Sequence, residues 1–494
     1  MAPFEPPARI SDLIARSGIP FEHSCGGAGR CLKCRVLVTG ALDMPSEAER
    51  RHLSEHDLKA GIRFSCMAHA LGDVTIHLPE GGIDSESTLT DTDFRRVFPG
   101  GPATRHGIAV DLGTTTVVAS LYRMDDGQRI AAQSRYNPQI AYGADVITRL
   151  EKSLSGQGAA LAKAIRGSLS EMIESMCREA AVEVNTVDDM VIAGNTAMMY
   201  LLCGYDPSSI AAAPFKADRL FGVTLPAQTF GLRLAEYAEV YLARSASAFV
   251  GGDMTAAALA AGMHIPGDSV RMLCDIGTNG EIMLCSGGRA VCCSTAAGPA
   301  FEGAGITCGM KAGPGAIEDV RYESGRFHIS VAGGEAAGIC GSGIISAAAA
   351  MVRAGIVERS GFLHGGEFTF PGTDVKITQA DIRAVQLAKS AIRAGMDTLM
   401  AHMGISPDYV SDFMIAGGFG SSLNIAAAEY IGLFPPGLSA RARAVGNAAA
   451  AGASAMLLDR GTRKITKKFA DTAETLNLSA NPLFMDLYVD NMSF

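Results

Sequence analysis

Tryptophan is absent from the 494 residues and aromatic side chains make up only 6%, whereas glycine occupies 57 positions. A chain of this kind relies on small and aliphatic side chains, close backbone approaches and tight turns. A basic tract is missing too, as is any interleaving of basic with aromatic residues, and the net charge is −9. That balance argues against nucleic acid as a partner. The longest uncharged run, Ala336 to Val352, is rich in small residues and broken by glycines, so it reads as buried core and not as a membrane span. The start of the chain lacks the basic and apolar regions of an export leader and carries Pro3, Pro6 and Pro7 instead. Twelve cysteines in such a chain fit a reducing compartment, the cytoplasm, where thiols ligate metal or pack as small hydrophobes. With 48% hydrophobic and 19% charged residues the chain can build sizeable cores, and its length suggests three units at about 150 residues per domain.

Two stretches share one plan. Gly107-Ile-Ala-Val-Asp-Leu-Gly-Thr-Thr-Thr-Val-Val-Ala-Ser-Leu121 and Met272-Leu-Cys-Asp-Ile-Gly-Thr-Asn-Gly-Glu-Ile-Met-Leu284 each pass from an apolar run through Asp-x-Gly-Thr into a second apolar run. This is the pattern of a β-hairpin with a tight polar turn. Gly113 and Gly277 let the backbone turn and approach a ligand, while Thr114, Thr115, Thr116, Thr278 and Asn279, with Gly280 closing the second turn, offer hydroxyls, an amide and N–H groups to phosphate oxygens. Asp111 and Asp275 stand at the mouths of the turns, where two carboxylates suit a hydrated Mg2+ on the β- and γ-phosphates of ATP. One such turn is equally an ordinary hairpin; its recurrence about 160 residues later favours the phosphate reading.

A second constellation lies near the start. In Cys25-Gly-Gly-Ala-Gly-Arg-Cys31-Leu-Lys-Cys34, five residues separate the first pair and two the second, and thirty-one more precede Cys66. Thiolates at this spacing can wrap an iron-sulfur cluster, with glycine N–H groups aimed at its sulfurs. Zinc is the competing reading, although structural zinc sites usually come as two short cysteine pairs. His23 and His69 flank the loop and read as surface residues.

Composition divides the chain into a cysteine-bearing unit at 1–84, a linker at 85–106 marked by Ser/Thr/Asp-rich sequence and Pro99-Gly-Gly-Pro102, two large halves at 107–262 and 263–461, and an unassigned tail at 462–494. In the first half a long amphipathic helix is predicted around Gly158 to Val182. The apolar strand before Gly194-Asn195-Thr196 ends at a helix start, where Asn195 is either an N-cap or a ligand contact. Gly251 to Gly262 reads as a small-residue helix, with Asp253 either positioning an attacking water or capping the helix. In the second half, glycine-heavy loops at Ala297 to Glu302 and Gly305 to Gly315 precede Gly338-Ile-Cys-Gly-Ser-Gly343, which opens a helix. Phe413-Met-Ile-Ala-Gly417-Gly418-Phe419-Gly420 is a buried strand whose closing glycines allow the chain to lie flat against an adenosine, and Gly446 to Ser454 gives a second small-residue helix.

The cysteine loop, with Leu53-x4-Leu58-x2-Gly61-x-Arg63-x2-Cys66, resembles a ferredoxin domain of the plant and adrenodoxin type. The resemblance implies an α+β β-grasp fold and a 2Fe-2S cluster on Cys25, Cys31, Cys34 and Cys66. The order of hairpin, small-residue helix, hairpin, glycine-rich strand and small-residue helix is similar to the acetate and sugar kinase, Hsp70 and actin (ASKHA) superfamily, which implies a duplicated RNase H-like α/β ATPase fold with nucleotide between the halves. Together with Gly305-Ile-Thr-Cys-Gly-Met-Lys-Ala-Gly-Pro-Gly-Ala-Ile317 and Val191-Ile-Ala-Gly-Asn-Thr-Ala-Met198, the combination resembles the reductive activators of corrinoid-dependent enzymes. What this implies is ATP-dependent reduction of cob(II)alamin to cob(I)alamin in a corrinoid protein serving methyl transfer, fed by an upstream low-potential electron donor, with a homodimer left open. Cob(I) lies at so low a potential that each further 59 mV or so of mismatch costs about tenfold in a one-electron equilibrium; ATP can supply the difference only by binding two conformations unequally. Three other readings stand beside this one: a small-molecule kinase using Asp253, a plain electron carrier, and a dehydratase-activator ATPase. The last would hold a 4Fe-4S cluster across a dimer through Cys308 and Cys340, which otherwise pack as small buried residues.

Overall fold

A computed structural model describes residues 6–16, 34–53, 55–77, 105–417 and 423–494. In the first unit, strands β1 (Ala8–Arg9), β2 (Arg35–Leu42), β3 (Ile62–Phe64) and β4 (His69–His77) form a sheet in the order β1-β4-β2-β3, each neighbour antiparallel to the next. Val36 and Val38 alternate inward from β2 onto Ile10, Ile14 and Ala70. The helix Glu47–His52 opens with a Ser46/Glu49 capping box. Glu49 is fully buried and receives Arg63 Nε at 2.9 Å, while Arg63 Nη2 reaches Asp43 at 2.9 Å. Burial pushes the Glu49 carboxyl up, but Arg63 and the N–H groups of Ser46 and Phe64 outweigh it and hold the group below its usual range. This network fixes β3 and the turn that follows it, which carries Cys66.

The larger part of the chain is two versions of one sheet. In the first, β5 (His106–Leu112), β6 (Thr116–Arg123) and β7 (Arg129–Tyr136) make an antiparallel meander; β8 (Val187–Gly194) and β10 (Glu239–Leu242) add parallel strands beside β5, and β9 (Val223–Pro226) closes the edge. In the second, β11 (Val270–Ile276), β12 (Gly280–Ser286) and β13 (Arg289–Thr295) repeat the meander. A three-stranded sheet follows, made of β14 (Ala316–Glu323), β15 (Arg326–Ala332) and β16 (Gly338–Ile339), and then the pair β17 (Glu367–Thr369) and β18 (Lys376–Thr378). After these, β19 (Val410–Ala416) and β20 (Ala442–Gly446) run parallel beside β11. The orders β7-β6-β5-β8-β10 and β13-β12-β11-β19-β20 are the same topology, and the middles of the central strands are apolar because both faces are covered, with charged residues such as Asp111 and Asp275 confined to the strand ends.

Two small-residue helices lie between the sheets. Gly252–Ala260 and Ala448–Leu458 place Ala256, Leu259, Ala453 and Met456 against Ala109 and Val191 of the first sheet, and Met254, Ala257, Ala258 and Ala448 against Leu273, Met283 and Met414 of the second. They approach so closely that a Cβ on Gly452 would stand 1.9 Å from the carbonyl oxygen of Ala256. The long helices Gly158–Glu179 and Gln379–Met403 cover the outer faces.

Two sequence boundaries shift. Strand β5 begins at His106, and Arg105 Nη2 pairs with Asp188 at 3.0 Å, so the end of the stretch read as linker belongs to the first half. The tail, aperiodic in sequence, forms the helix Arg460–Thr472, strand β21 (Glu474–Thr475) beside β13, and the helix Pro482–Asp490 against Gln379–Met403. Its first helix buries Arg463, Thr466 and Ala470 and packs Phe469 and its C-cap Ala473 on the core between the sheets. Arg463 reaches the buried Asp189 at 2.7 Å, so a polar contact distant in sequence anchors the helix. Among the described residues no helix is long and apolar enough to cross a membrane.

Candidate functional site

The two hairpin turns face one another across the seam between the halves. In the first, Gly113 N–H donates to Thr116 O at 3.0 Å, and a Cβ on Gly113 would lie 2.5 Å from that oxygen, so only glycine closes this turn. Asn137 fastens it from below, donating its N–H to Thr115 O at 2.8 Å and its amide to Gly113 O at 2.9 Å. Asn195 caps the helix Thr196–Cys203 through Met198 N–H and also donates to Thr114 Oγ1 at 2.9 Å; capping and contact with the turn are both met by one side chain. In the second turn Gly277 N–H donates to Asn279 O at 3.0 Å, and Thr278 donates its hydroxyl to Glu302 at 2.7 Å. Gly280 starts β12 packed on Thr295 and Ile392. Gly417, with φ at +110°, brings the end of β19 against Ile276 and Asp275. Gly418, Phe419 and Gly420 lie outside the described residues.

Four carboxylates converge between the turns. Asp111 ends β5 and takes the amide of Asn447 at 2.9 Å; burial pushes it up to about 6, with Asn447 pulling the other way. Burial pushes Asp275 up to about 7, and the charge of Asp111 adds to this. Asp253, in the first turn of its helix, is pushed by burial to about 7; its contact with Met254 N–H at 2.7 Å opposes the rise, and the charges of Asp111 and Asp275 add to it. The fourth, Glu281, is driven well above the usual carboxylate range by burial and then by Asp253 and Asp275. It sits directly across the hairpin from Asp275, where the first hairpin places Val118 opposite Asp111. The second turn is one residue shorter, and a one-residue slip in register exchanges the faces of a strand. Negative charge crowded in this way is relieved by a divalent cation. Among the described residues no three His, Cys, Asp or Glu side chains are close enough to ligate a metal directly, so a cation here would be held through water, as Mg2+ commonly is.

In the first unit, Cys34 precedes β2 and Cys66 follows β3, both buried, with their Sγ atoms 3.2 Å apart. That is too far for a disulfide. The contact with Cys66 holds the Cys34 thiol down at about 6 against the effect of burial, so thiolate, the ligating form, is accessible near neutrality. Cys25 and Cys31 lie outside the described residues. His69 turns to Asp43 at 3.1 Å. Cys308 accepts from Lys376 N–H at 3.5 Å, and Cys340 donates to Ile317 O at 3.3 Å from the start of a buried helix.

The sequence reading missed Glu281, Glu302, Lys311 and Asn447. Glu281 owes its place opposite Asp275 to the register of the second hairpin; Asn447, like Asn195, carries the signal of a helix-start amide.

A curated relative, the corrinoid activation enzyme RamQ of Eubacterium limosum, is 33% identical over 98% of this chain and 96% of its own length. The chain belongs to the reductive activators of corrinoid proteins. The family described as the RACo middle region matches residues 106–265 of this activator, and the C-terminal domain of RACo, the ASKHA domain, matches 269–494. The [Co(II) methylated amine-specific corrinoid protein] reductase of Methanosarcina barkeri is 26% identical over 79% of the activator and 77% of its own length. Among solved structures, a reductive activator for corrinoid, iron-sulfur protein superposes with a TM-score of 0.73 at 28% identity, covering 100% of this chain and 96% of that one. The ASKHA architecture is therefore established for the duplicated sheets.

Proposed function

We propose that this activator spends ATP in the cleft between its halves to reduce the cobalt of a corrinoid protein from cob(II) to cob(I), in support of corrinoid-dependent methyl transfer. The observation that carries the reading is the meeting of two Asp-Gly-Thr turns, one from each half, around Asp111 and Asp275, whose charges act on one another. Thr114, Thr115, Thr278 and Asn279 would take phosphate oxygens, Gly417 to Gly420 the adenosine, and the carboxylate cluster a hydrated Mg2+. Asp253, beside both turns, is the candidate for orienting the attacking water.

Cys34 and Cys66, buried and adjacent, with the Cys34 thiol held down at about 6, fit two of the four ligands of a 2Fe-2S cluster, and Cys25 and Cys31 are proposed as the others. When bound, that cluster supplies one-electron transfer. The unit is proposed as a ferredoxin-like domain on its antiparallel sheet and cysteine spacing, charged by an upstream low-potential donor in the cytoplasm. Binding energy can be converted to reducing power only where ATP and ADP states hold the corrinoid partner differently. Anaerobic mixing with candidate corrinoid proteins and a chemical reductant tests the reading: cobalt absorbance is expected to change to the cob(I) form with ATP and not without it, and Asp111→Ala is expected to abolish the ATP dependence. Full reduction without nucleotide would overturn it.

A further inference from the structure

One carboxylate ties the two turns together. Glu302 ends the short turn Pro299–Glu302, with Oε1 2.7 Å from the Thr278 hydroxyl of the second turn and Oε2 3.3 Å from the Thr115 hydroxyl of the first. The chain that follows folds back on itself without room for side chains: a Cβ on Gly303 would stand 2.4 Å from Met310 O, and one on Gly309 2.1 Å from Gly303 O. The strap 299–311 therefore presents Glu302 and Lys311 as one body. Lys311 also crosses to the first half, its Nζ 3.6 Å from the centre of the Tyr136 ring. That nitrogen is buried and has no hydrogen-bond partner among the described residues. Tyr136 pairs with Thr116, and the next residue, Asn137, fastens the first turn. At its middle the strap is anchored elsewhere: Thr307 N–H donates at 2.7 Å to Asp381, which completes the capping box with Thr378 at the start of the long helix Gln379–Met403.

A threonine hydroxyl has one proton to donate, and here two such protons go to Glu302. A phosphate oxygen entering either turn needs the same donors and meets an anion already holding them. A buried ammonium without a hydrogen-bonding partner is, by contrast, costly until an anion arrives. We propose that Glu302 is a latch holding Thr115 and Thr278 until the terminal phosphate of ATP takes their hydroxyls, whereupon Lys311 on the same strap meets that phosphate. Segment 299–311 then differs between ATP- and ADP-bound protein, and Thr307 passes the difference to the start of the long helix. The inference rests on the nucleotide reading of the cleft.

Calorimetric titration of the full chain with a non-hydrolysable ATP analogue and with ADP, each with Mg2+, tests it in wild type, Glu302→Gln and Lys311→Met. Glu302→Gln is expected to tighten the analogue about tenfold, the size of a modest relief of like-charge contact, and Lys311→Met to weaken it by about the same factor, with ADP shifted far less in both. In wild type, hydrogen exchange over 299–311 is expected to change with the analogue and not with ADP. Thr115→Val, which breaks one arm of the latch and leaves the strap intact, is expected to loosen that segment before nucleotide is added. Equal shifts for both nucleotides, or weaker analogue binding by Glu302→Gln, would overturn the latch alone. A wild-type chain that binds neither nucleotide would overturn the cleft reading and the latch with it.

Discussion

Asn447 donates its side-chain amide to Asp111 at 2.9 Å, from a helix of the second half to a strand of the first. The other end of the same amide accepts Ala450 N–H at 2.9 Å and caps the helix Ala448–Leu458. The residue that starts the helix between the sheets therefore also tunes a carboxylate of the cleft.

Replacing Asn447 with alanine is expected to cost about 1 kcal/mol for the lost cap and a further 1–3 kcal/mol or so for the donor withdrawn from a buried carboxylate. Asn447→Ser, which can keep the cap, should recover roughly the first part alone. Urea denaturation of the three proteins checks both figures.

The carboxylate cluster sets a pH dependence. Asp111 at about 6 and Asp253 and Asp275 at about 7 hold protons in the folded chain to higher pH than they do unfolded. Between about pH 4 and pH 7 the folded state thus binds more protons, and its stability falls as pH rises through that window. Without nucleotide, the melting temperature is expected to drop from pH 5.5 to pH 8 and to recover on adding Mg2+ with ATP; Asp275→Asn should flatten the profile. A rise in stability over the same range would contradict the cluster's charge state.

Arg63→Ala leaves Glu49 buried without its cation, a change that typically costs about 3–5 kcal/mol. The first unit is expected to melt or become protease-sensitive while the ATPase halves stay folded. Limited proteolysis with mass analysis separates the two.

Cys66→Ser should remove the visible absorbance and iron of anaerobically purified protein, whereas Cys308→Ser and Cys340→Ser should leave both intact. Iron per chain decides between the ferredoxin-like site and a site built from the second pair.

Sequence showed the hairpins, the paired small-residue helices and Asn195 at its helix start because each depends on local pattern: apolar runs around Asp-x-Gly-Thr, glycine and alanine at helical spacing, or an asparagine where an apolar strand gives way to a helix. It did not show Glu281, whose place depends on a turn one residue shorter than its counterpart, nor Glu302, which is brought to the turns by a fold-back of glycines. The tail was illegible for a related reason. Its first helix is anchored by Arg463 on Asp189, residues 274 positions apart, a pairing that no local pattern announces.

Gly452→Ala would drive a methyl group into the carbonyl of Ala256, 1.9 Å away. Overpacking of this kind costs roughly 1–3 kcal/mol or forces the helices apart. Lower thermal stability together with weaker nucleotide affinity is the expected result.

Backbone meeting backbone at that crossing has a mechanical meaning. With no side chain on Gly452, the two helices have nothing to interlock at that point and lie backbone to backbone. Any rotation of one half against the other has to pass through that crossing.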